Sequence, residues 1–251
     1  MIYYGNIIQK REYSDMSLKM ILFDLDGTLL PMDQDVFTES YFKLLCKKMA
    51  KQGYDTEELV SAVWQGTLAM MKNDGSRLNE EAFWQAFTGI YGEKAIADKP
   101  HFDEFYRTEF QLAKSECGFD PAAKKTADRL KAAGYRVALA TNPLFPATAT
   151  ESRIRWAGFE PEDFELYTTY ENIGYCKPNP DYYREVARQL DCEPEECLMV
   201  GNDVNDDMAA AATGMKVFLL TDCLINRDDK DLSPYPRGGF EDLLAYTESL
   251  A

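Results

Sequence analysis

Short apolar runs that stop abruptly at polar residues recur along this chain of 251 residues. In the first run, four apolar residues (Met20–Phe23) are followed directly by Asp24, and a glycine and a threonine come soon after. A wholly apolar run of this length with a turn signal behind it is typical of a strand buried on both faces of a parallel sheet. Further runs of this kind predict strands at residues 136–140, 166–168, 197–200 and 216–220.

Apolar residues at helical spacing lie between most of these runs. They predict helices at residues 121–133, 148–156, 180–190, 207–213 and 240–249. Strands that alternate with helices in this way imply an α/β fold, a doubly wound parallel sheet. Right-handed crossovers leave the carboxyl ends of all its strands on one edge, where the chemistry of such sheets is found.

One long segment, residues 33–118, has helical periodicity and no run that resembles a strand. Breaks at Gly53, residues 73–75, Gly92 and Pro100 divide it into about four helices. Proline fits the first turn of a helix, so the fourth helix is predicted to begin near Pro100. The predicted divisions are an N-terminal extension of unassigned role (1–17), an α/β core (18–32 and 119–251) and an inserted all-helical domain (33–118).

Several side chains of the inserted segment could take part in function. Trp64 and Trp84 could form a substrate box, but aromatic residues at helical spacing pack in cores more often, and core packing is favoured. Arg77 could contact an anionic substrate from its loop, although a solvated charge is the preferred interpretation. A catalytic Ser-His or Cys-His pair would have to use His101, the single histidine of the chain. We expect His101 to be a surface or capping residue.

Composition narrows the class of protein further. Lysine and arginine number 27 against 43 acidic residues, a net charge of −16, which would repel nucleic acid and anionic membranes. The six cysteines include no Cys-x-x-Cys pair, so a zinc site is disfavoured and free thiols in a reducing cytoplasm are expected. No apolar run approaches the ~20 residues of a membrane span, and no signal peptide is evident. These features predict a cytoplasmic protein with neither nucleic acid nor membrane as a partner.

Chemistry-bearing side chains follow four of the predicted strands or the loops beside them. Asp24 and Asp26 end the first strand, and its period of two projects both carboxylates to one side. Carboxylates so close repel unless a cation or a proton separates them, and a bound Mg²⁺ would do this because it prefers oxygen ligands. The other candidates are Thr141, Asn142, Lys177 and a late acidic cluster of Asp203, Asp206 and Asp207. A carboxylate nucleophile, a hydroxyl, a lysine and an acidic cluster on one edge suit phosphoryl transfer through an aspartyl-phosphate.

At these positions the chain resembles the haloacid dehalogenase superfamily of phosphohydrolases, in the form with a helical cap between the first and second motifs. The most specific part is Asp-Leu-Asp-Gly-Thr-Leu-Leu at residues 24–30, after the apolar strand, and the resemblance extends over about residues 18–225. It implies the parallel sheet described above and a cap at residues 33–118.

The resemblance also implies roles for the first motif. Asp24 would attack phosphorus and become an acyl phosphate. Asp26 would protonate the leaving alcohol and then activate water to hydrolyse the intermediate. Thr28 would orient Asp26 and shape the loop. A Mg²⁺ cofactor would be bound by Asp24, the backbone carbonyl of Asp26 and a carboxylate of the late cluster.

For the phosphate itself, the resemblance implies three further residues. Thr141 and the backbone N–H of Asn142 would hold the phosphoryl oxygens, and Lys177 would offset the negative charge. The expected substrate is a small phosphorylated metabolite, and Mg²⁺ together with Lys177 would provide the local positive charge that a strongly acidic protein otherwise lacks.

The late cluster departs from the usual pattern, which is Gly-Asp followed some four residues later by another Asp. Here Gly201 is followed by Asn202. Counting from the glycine pairs Asn202 with Asp206, whereas counting by acid spacing pairs Asp203 with Asp207. Asn202 is a neutral and weaker ligand, so Asp203 is expected to reach the metal directly. Asp207, or else Asp206, would support it from a second layer.

Alternatives to a phosphatase are left open by the sequence. A phosphomutase of similar architecture would pass the acyl phosphate to a sugar phosphate instead of water, and a non-catalytic relative would only bind phosphorylated ligands. The intact Asp24, Asp26, Thr141 and Lys177 weigh against the non-catalytic alternative. Dehalogenase activity is disfavoured because that branch lacks the second Asp of the first motif. The oligomeric state and the identity of the substrate are not determined by the sequence.

Overall fold

The protein has a five-stranded, all-parallel sheet in the order β2-β1-β3-β4-β5. A computed structural model describes residues 18–250. The strands are β1 (Met20–Phe23), β2 (Arg136–Leu139), β3 (Cys197–Gly201), β4 (Lys216–Leu220) and β5 (Arg237–Gly238). Phe23 at the end of β1 is aligned with Leu139 on one side and Val200 on the other. Strands β2, β1 and β3 therefore end at nearly the same level, and the residues that follow them meet at one edge.

Helices cover both faces of the sheet, as expected for a doubly wound fold. They are α5 (Pro121–Ala132), α6 (Ala147–Trp156), α7 (Pro180–Gln189) and α8 (Phe240–Ser249). Ile21 and Phe23 belong to the apolar core that contains α5, α6 and α8, whereas Met20 and Leu22 belong to the core that contains α7. This alternation shows why β1 is apolar at every position: each of its two faces is buried.

The segment between β1 and α5 consists of helices joined by short turns. Its helices are α1 (Gln34–Met49), α2 (Thr56–Met71), α3 (Asn79–Tyr91) and α4 (Glu93–Arg107), followed by a 3-10 helix (Glu109–Glu116). Asp33 and Asp55 cap α1 and α2, since each side chain accepts hydrogen bonds from the first free backbone N–H groups of its helix. We call residues 33–118 the helical insertion.

Two details of the insertion differ from the sequence prediction. Helix α4 begins at Glu93, directly after Gly92, and Pro100 lies inside it and not in its first turn. The missing N–H of Pro100 is tolerated because the helix buries Ala95, Phe102 and Phe105. His101 consequently lies within α4 as a partly exposed residue, and the alternative that it caps a helix is wrong.

Other differences concern short elements. The segment predicted as a strand at residues 166–168 forms only an isolated bridge from Tyr167 to Leu139. The alanine-rich helix predicted at residues 207–213 is a 3-10 helix (Met208–Thr213). Longer elements are joined by three further 3-10 helices: Ala50–Gln52, Pro161–Asp163 and Pro194–Glu196. The two-residue strand β5 was not predicted because it carries no apolar run.

The predicted N-terminal extension, residues 1–17, lies outside the described residues. Within residues 18–250 no helix is long and apolar enough to cross a bilayer.

Candidate active site

The loop that follows β1 is a tight turn that Gly27 makes possible. The N–H of Gly27 donates to the carbonyl of Leu30 (2.8 Å), and the N–H of Leu30 donates to that of Leu25 (2.9 Å). Gly27 has a φ of +84°, and a Cβ there would lie 2.3 Å from Nδ2 of Asn202. A residue with a side chain would be strained and would collide with the neighbouring loop. The glycine therefore allows the loops after β1 and β3 to approach closely.

Asp24 is the buried centre of this edge. Its Oδ1 accepts a hydrogen bond from Nζ of Lys177 at 2.8 Å. Burial raises the pKa of the Asp24 carboxyl to about 7, although the ammonium of Lys177 opposes the shift. Burial thus disfavours the ionised form of Asp24 even though a cation lies beside it.

Lys177 lies between two carboxylates. Its side chain is fully buried, and Nζ also donates to Oδ1 of Asp207 at 2.6 Å. Burial lowers the pKa of Lys177, but Asp207 and Asp24 raise it well above its ordinary value, so the ammonium stays charged. Asp207 also accepts the N–H of Asp203 at 2.9 Å, which ties the loop after β3 to the lysine.

Thr28 contacts different partners from those that the resemblance implied. Its hydroxyl lies 3.3 Å from Oδ2 of Asp24 and 3.0 Å from Oδ1 of Asn202, so its single proton is shared between these oxygens and does not orient Asp26. The Asn202 amide in turn donates to the carbonyl of Cys223 at 2.6 Å. Asn202 therefore joins the first loop to the loop after β4.

Asp26 is held by a residue that the sequence did not reveal, Arg153 of α6. The guanidinium pairs with Oδ2 of Asp26, donates to Thr150 and lies 4.5 Å above the ring of Phe145. Burial raises the pKa of Asp26, while Arg153 and then Lys177 lower it. Arg153 is only 1% exposed, which is unusual for arginine, but nothing in the sequence around it distinguishes it from an ordinary surface residue of a helix.

The second motif lies at the end of β2. Thr141 is buried, and its carbonyl accepts hydrogen bonds from the hydroxyls of Thr168 (2.6 Å) and Tyr182 (2.9 Å), which fix the backbone at this point. Nδ2 of Asn142 donates to Asp206 at 3.2 Å, whereas its Oδ1 is buried without a hydrogen-bond partner.

The late acids separate into different environments. Asp203 accepts the N–H groups of Asn205 (2.7 Å) and Asp206 (2.9 Å) through the same oxygen, Oδ1. Burial raises the pKa of Asp206 to about 6. Asp207 accepts a hydrogen bond from Lys177, as described above.

A cavity of about 370 Å³ brings the predicted side chains together. Its walls include Asp24, Asp26, Thr141, Asn142, Lys177, Asn202, Asp203, Asp206 and Asp207. The helical insertion contributes Trp64, which is 51% exposed and lines this cavity. The prediction that Trp64 packs in a core is therefore wrong. Trp84 does pack among Phe83, Phe87 and Phe102. Arg77 lies outside the cavity and pairs with Gln85.

The oxygen atoms around Asp24 suit a hard divalent cation. The candidate donors are the carboxylates of Asp24 and Asp203 and the backbone carbonyl of Asp26. In the part of the chain that the structure describes, no group of three His, Cys, Asp or Glu side chains is arranged to hold a metal. One or two carboxylates, supplemented by a carbonyl and water, are the usual environment of Mg²⁺. The donor set therefore fits a bound Mg²⁺.

Comparison with known proteins gives a consistent result. A family model described as haloacid dehalogenase-like hydrolase matches residues 18–214. The chain is 25% identical over 209 residues to pyrophosphatase PpaX of Bacillus velezensis, which covers 81% of this chain and 83% of that protein. It is 26% identical over 220 residues to a glyceraldehyde 3-phosphate phosphatase of Methanothermobacter thermautotrophicus, with 81% and 85% covered.

Among solved structures, a 2-haloacid dehalogenase from Pseudomonas syringae superposes with a TM-score of 0.62 at 17% identity, with 93% of this chain and 100% of that chain covered. At that identity the likeness shows the fold alone. The fold by itself does not choose between a carbon–halogen bond and a phosphate ester, so the chemistry has to be argued from the side chains.

Proposed function

The chain belongs to the haloacid dehalogenase-like hydrolases, and we propose that it is a phosphatase that hydrolyses a small phosphate monoester with Mg²⁺ through an aspartyl-phosphate intermediate. The observation that carries the proposal is the contact of Lys177 with Asp24 at 2.8 Å, at the bottom of the cavity and beside a second carboxyl, Asp26. The phosphatase names of the curated relatives support it.

In this proposal a carboxylate oxygen of Asp24 attacks phosphorus. The bond between phosphorus and the alcohol oxygen breaks, and the departing oxygen takes a proton from Asp26. In the second step water gives its proton to Asp26 and attacks phosphorus, and the bond to Asp24 breaks to release phosphate. The carboxyl of Asp26 thus returns to its starting state. Arg153 pairs with Oδ2 of Asp26 and is therefore a positioning residue for both steps.

Phosphate binding is assigned to three residues around Asp24. Lys177 is charged, buried and already within hydrogen-bond distance of the nucleophile, so it can neutralise the oxygens of the incoming phosphate without moving far. The hydroxyl of Thr141 and the N–H of Asn142 lie at the end of the adjacent strand and would bind the remaining oxygens.

Asp24, the carbonyl of Asp26 and Asp203 would hold Mg²⁺, with Asp207 or Asp206 in support. When bound, the cation would supply positive charge against the charge that the phosphoryl group carries in the transition state. Asp207 holds Lys177 and the backbone of Asp203, and Asp206 holds the amide of Asn142, so each acid supports a different part of the site.

The helical insertion would serve as the cap over this site, since residues of α1 and α2 line the cavity opposite the sheet edge. The core would then comprise residues 18–32 and 119–251. A reducing cytoplasm is the proposed location because all six cysteines are free thiols.

Replacing the proposed nucleophile tests this function. In the variant Asp24→Asn, release of inorganic phosphate from a generic phosphate monoester with Mg²⁺ should fall at least about a thousandfold, because the amide cannot form the acyl phosphate. Asp128→Asn, an exposed acid on α5, is the matched control and should keep full activity. Free phosphate as the product also separates hydrolysis from transfer to a sugar phosphate. Unchanged phosphate release by Asp24→Asn would contradict the proposal.

A further inference from the structure

A second cavity of about 130 Å³ lies between the helical insertion and the core residues Leu144, Phe145 and Tyr170, next to the cavity that contains Asp24. The two cavities share four wall residues: Thr38, Trp64, Leu144 and Phe145. Phe145 is also the ring on which the guanidinium of Arg153 rests, at 4.5 Å. The two cavities are therefore neighbours, and the second cavity lies beside the first at Trp64 and Phe145.

The lining of the second cavity is aromatic and aliphatic and includes no charged residue. Three of the polar side chains that line it, those of Tyr41, Tyr106 and Thr67, have hydrogen-bond partners inside the protein. The hydroxyls of Tyr41 and Tyr106 bond to each other at 3.0 Å, and Thr67 donates to the carbonyl of Val63 at 3.0 Å. A charged group placed here would lose its hydration without gaining a partner of opposite charge, which is unfavourable. The cavity is suited to an uncharged apolar group.

The approach to the site from α2 is apolar as well. Trp64, Leu68 and Met71 follow each other at helical spacing and are 51%, 47% and 49% exposed. Trp64 and Met71 both line the cavity of Asp24. Single exposed apolar residues are common on protein surfaces, but a row of three at the mouth of a pocket is typical of a ligand-binding surface.

We propose, building on the phosphatase function above, that the substrate is a phosphate monoester whose alcohol carries one uncharged ring, and that this ring occupies the second cavity. The volume agrees with a single six-membered ring, since an apolar protein cavity of about 150 Å³ admits benzene. The aromatic walls favour a planar ring through edge-to-face and stacked contacts. Neither pyrophosphate nor glyceraldehyde 3-phosphate, which the names of two curated relatives mention, contains such a ring.

Two esters with alcohol leaving groups of similar basicity test the inference. Benzyl phosphate places a ring beyond the ester oxygen, and ethyl phosphate does not. The kcat/KM of the Mg²⁺-loaded protein should be at least about tenfold higher for benzyl phosphate, because only its ring gains contacts in the second cavity.

A cavity-filling variant locates the effect. In Thr67→Phe the added ring occupies the cavity, so the ratio of the two kcat/KM values should fall toward one. Thr88→Phe, the same exchange on α3 outside both cavities, should keep the ratio of the unaltered protein. Benzyl alcohol should also inhibit hydrolysis of ethyl phosphate competitively at concentrations where ethanol does not, and this measurement decides the question if Thr67→Phe fails to fold.

The outcomes separate this inference from the function on which it rests. Equal kcat/KM for both esters, with both activities lost in Asp24→Asn, would overturn the inference and leave the phosphatase function standing. A high ratio that persists in folded Thr67→Phe would also overturn it. Hydrolysis of neither ester would contradict the inference and the proposed function together.

Discussion

Single residues around the sheet edge carry opposite charges in a buried setting. Lys177 lies between Asp24 and Asp207, and Arg153 faces Asp26, so each buried cation is matched by at least one carboxylate. Removal of one partner from such a pair leaves an uncompensated buried charge, which costs more than the pair itself contributes. The pairs therefore matter more for the positions of the carboxyl groups than for net stability.

The Arg153–Asp26 pair leads to a prediction at this scale. Arg153→Leu leaves Asp26 without its partner at Oδ2, while Oδ1 is already buried without one. We expect kcat to fall about 10–100-fold with KM changed less than about threefold, because the proton-transferring carboxyl is misplaced while phosphate binding is retained. Arg153→Lys should recover part of kcat.

The matched control is Arg155→Leu, on the same helix but exposed and paired with Glu160 and Glu151. Steady-state kinetics of the three variants, with circular dichroism to verify folding, check the prediction. A kcat for Arg153→Leu within twofold of the unaltered protein would exclude a positioning role for Arg153.

At the scale of elements, the start of α3 is joined to the loop that carries Lys177. The N–H of Asn79 donates to Ile173 (3.0 Å), and Nδ2 donates to the carbonyl of Tyr175 (3.1 Å) and contacts the thiol sulfur of Cys176 (3.3 Å). Asn79 is fully buried, although an asparagine is mostly exposed elsewhere. The side chain thus ties the helical insertion to the core at the residue before the lysine.

Asn79→Ala should lower the free energy of unfolding by about 1–3 kcal/mol, because buried carbonyl groups lose their donor. It should also lower kcat, since the loop before Lys177 is released. Gln85→Ala, at a less buried position of α3, should change stability by no more than about 0.5 kcal/mol. Chemical denaturation of both variants provides the measurement, and equal stabilities for the two would show that the contact does not hold the insertion in place.

For the whole molecule, charge is the dominant feature. The net charge is −16, and several acids converge at the cavity of Asp24. In the metal-free protein the pKa of Asp24 is raised from 3.8 to about 7, so between these pH values Asp24 binds more protons in the folded chain than in the unfolded chain. The contribution of Asp24 to the stability of the metal-free protein should therefore decrease as the pH rises through this range.

Binding of Mg²⁺ requires the ionised carboxylate, which leads to a prediction for the intact protein. The increase in Tm caused by saturating Mg²⁺ should be larger at pH 8 than at pH 5, because protons compete with the cation at the lower pH. Thermal unfolding in EDTA and in Mg²⁺ at both pH values measures it. Sodium chloride at equal ionic strength is the control for general screening of the −16 charge.

Asp203→Asn should lose most of the Mg²⁺-specific increase in Tm, since it removes a proposed ligand. An increase in Tm that is the same at pH 5 and pH 8, or that sodium chloride reproduces in full, would argue against a magnesium site at Asp24.

The sequence by itself determined the parallel sheet, its main strands and the edge at which the polar side chains meet. It could do so because a strand buried on both faces has to be apolar throughout, and because right-handed crossovers place the residues after each strand on the same side. Asp24, Thr141 and Asp203 could be assigned to one site for this reason, before any contact was known, and Lys177 was added from the loop before α7.

Only the tertiary structure decided which side chains touch. Arg153 reaches Asp26 because α6 packs against the loop after β1, and Asp207 and Asp206 diverge toward Lys177 and Asn142 because a 3-10 turn follows them. The position of Trp64 at the cavity likewise depends on how the insertion lies over the core. Each of these contacts joins residues about 30 or more positions apart, and their distance in space is set by helix packing, which local patterns of apolar and polar residues do not encode.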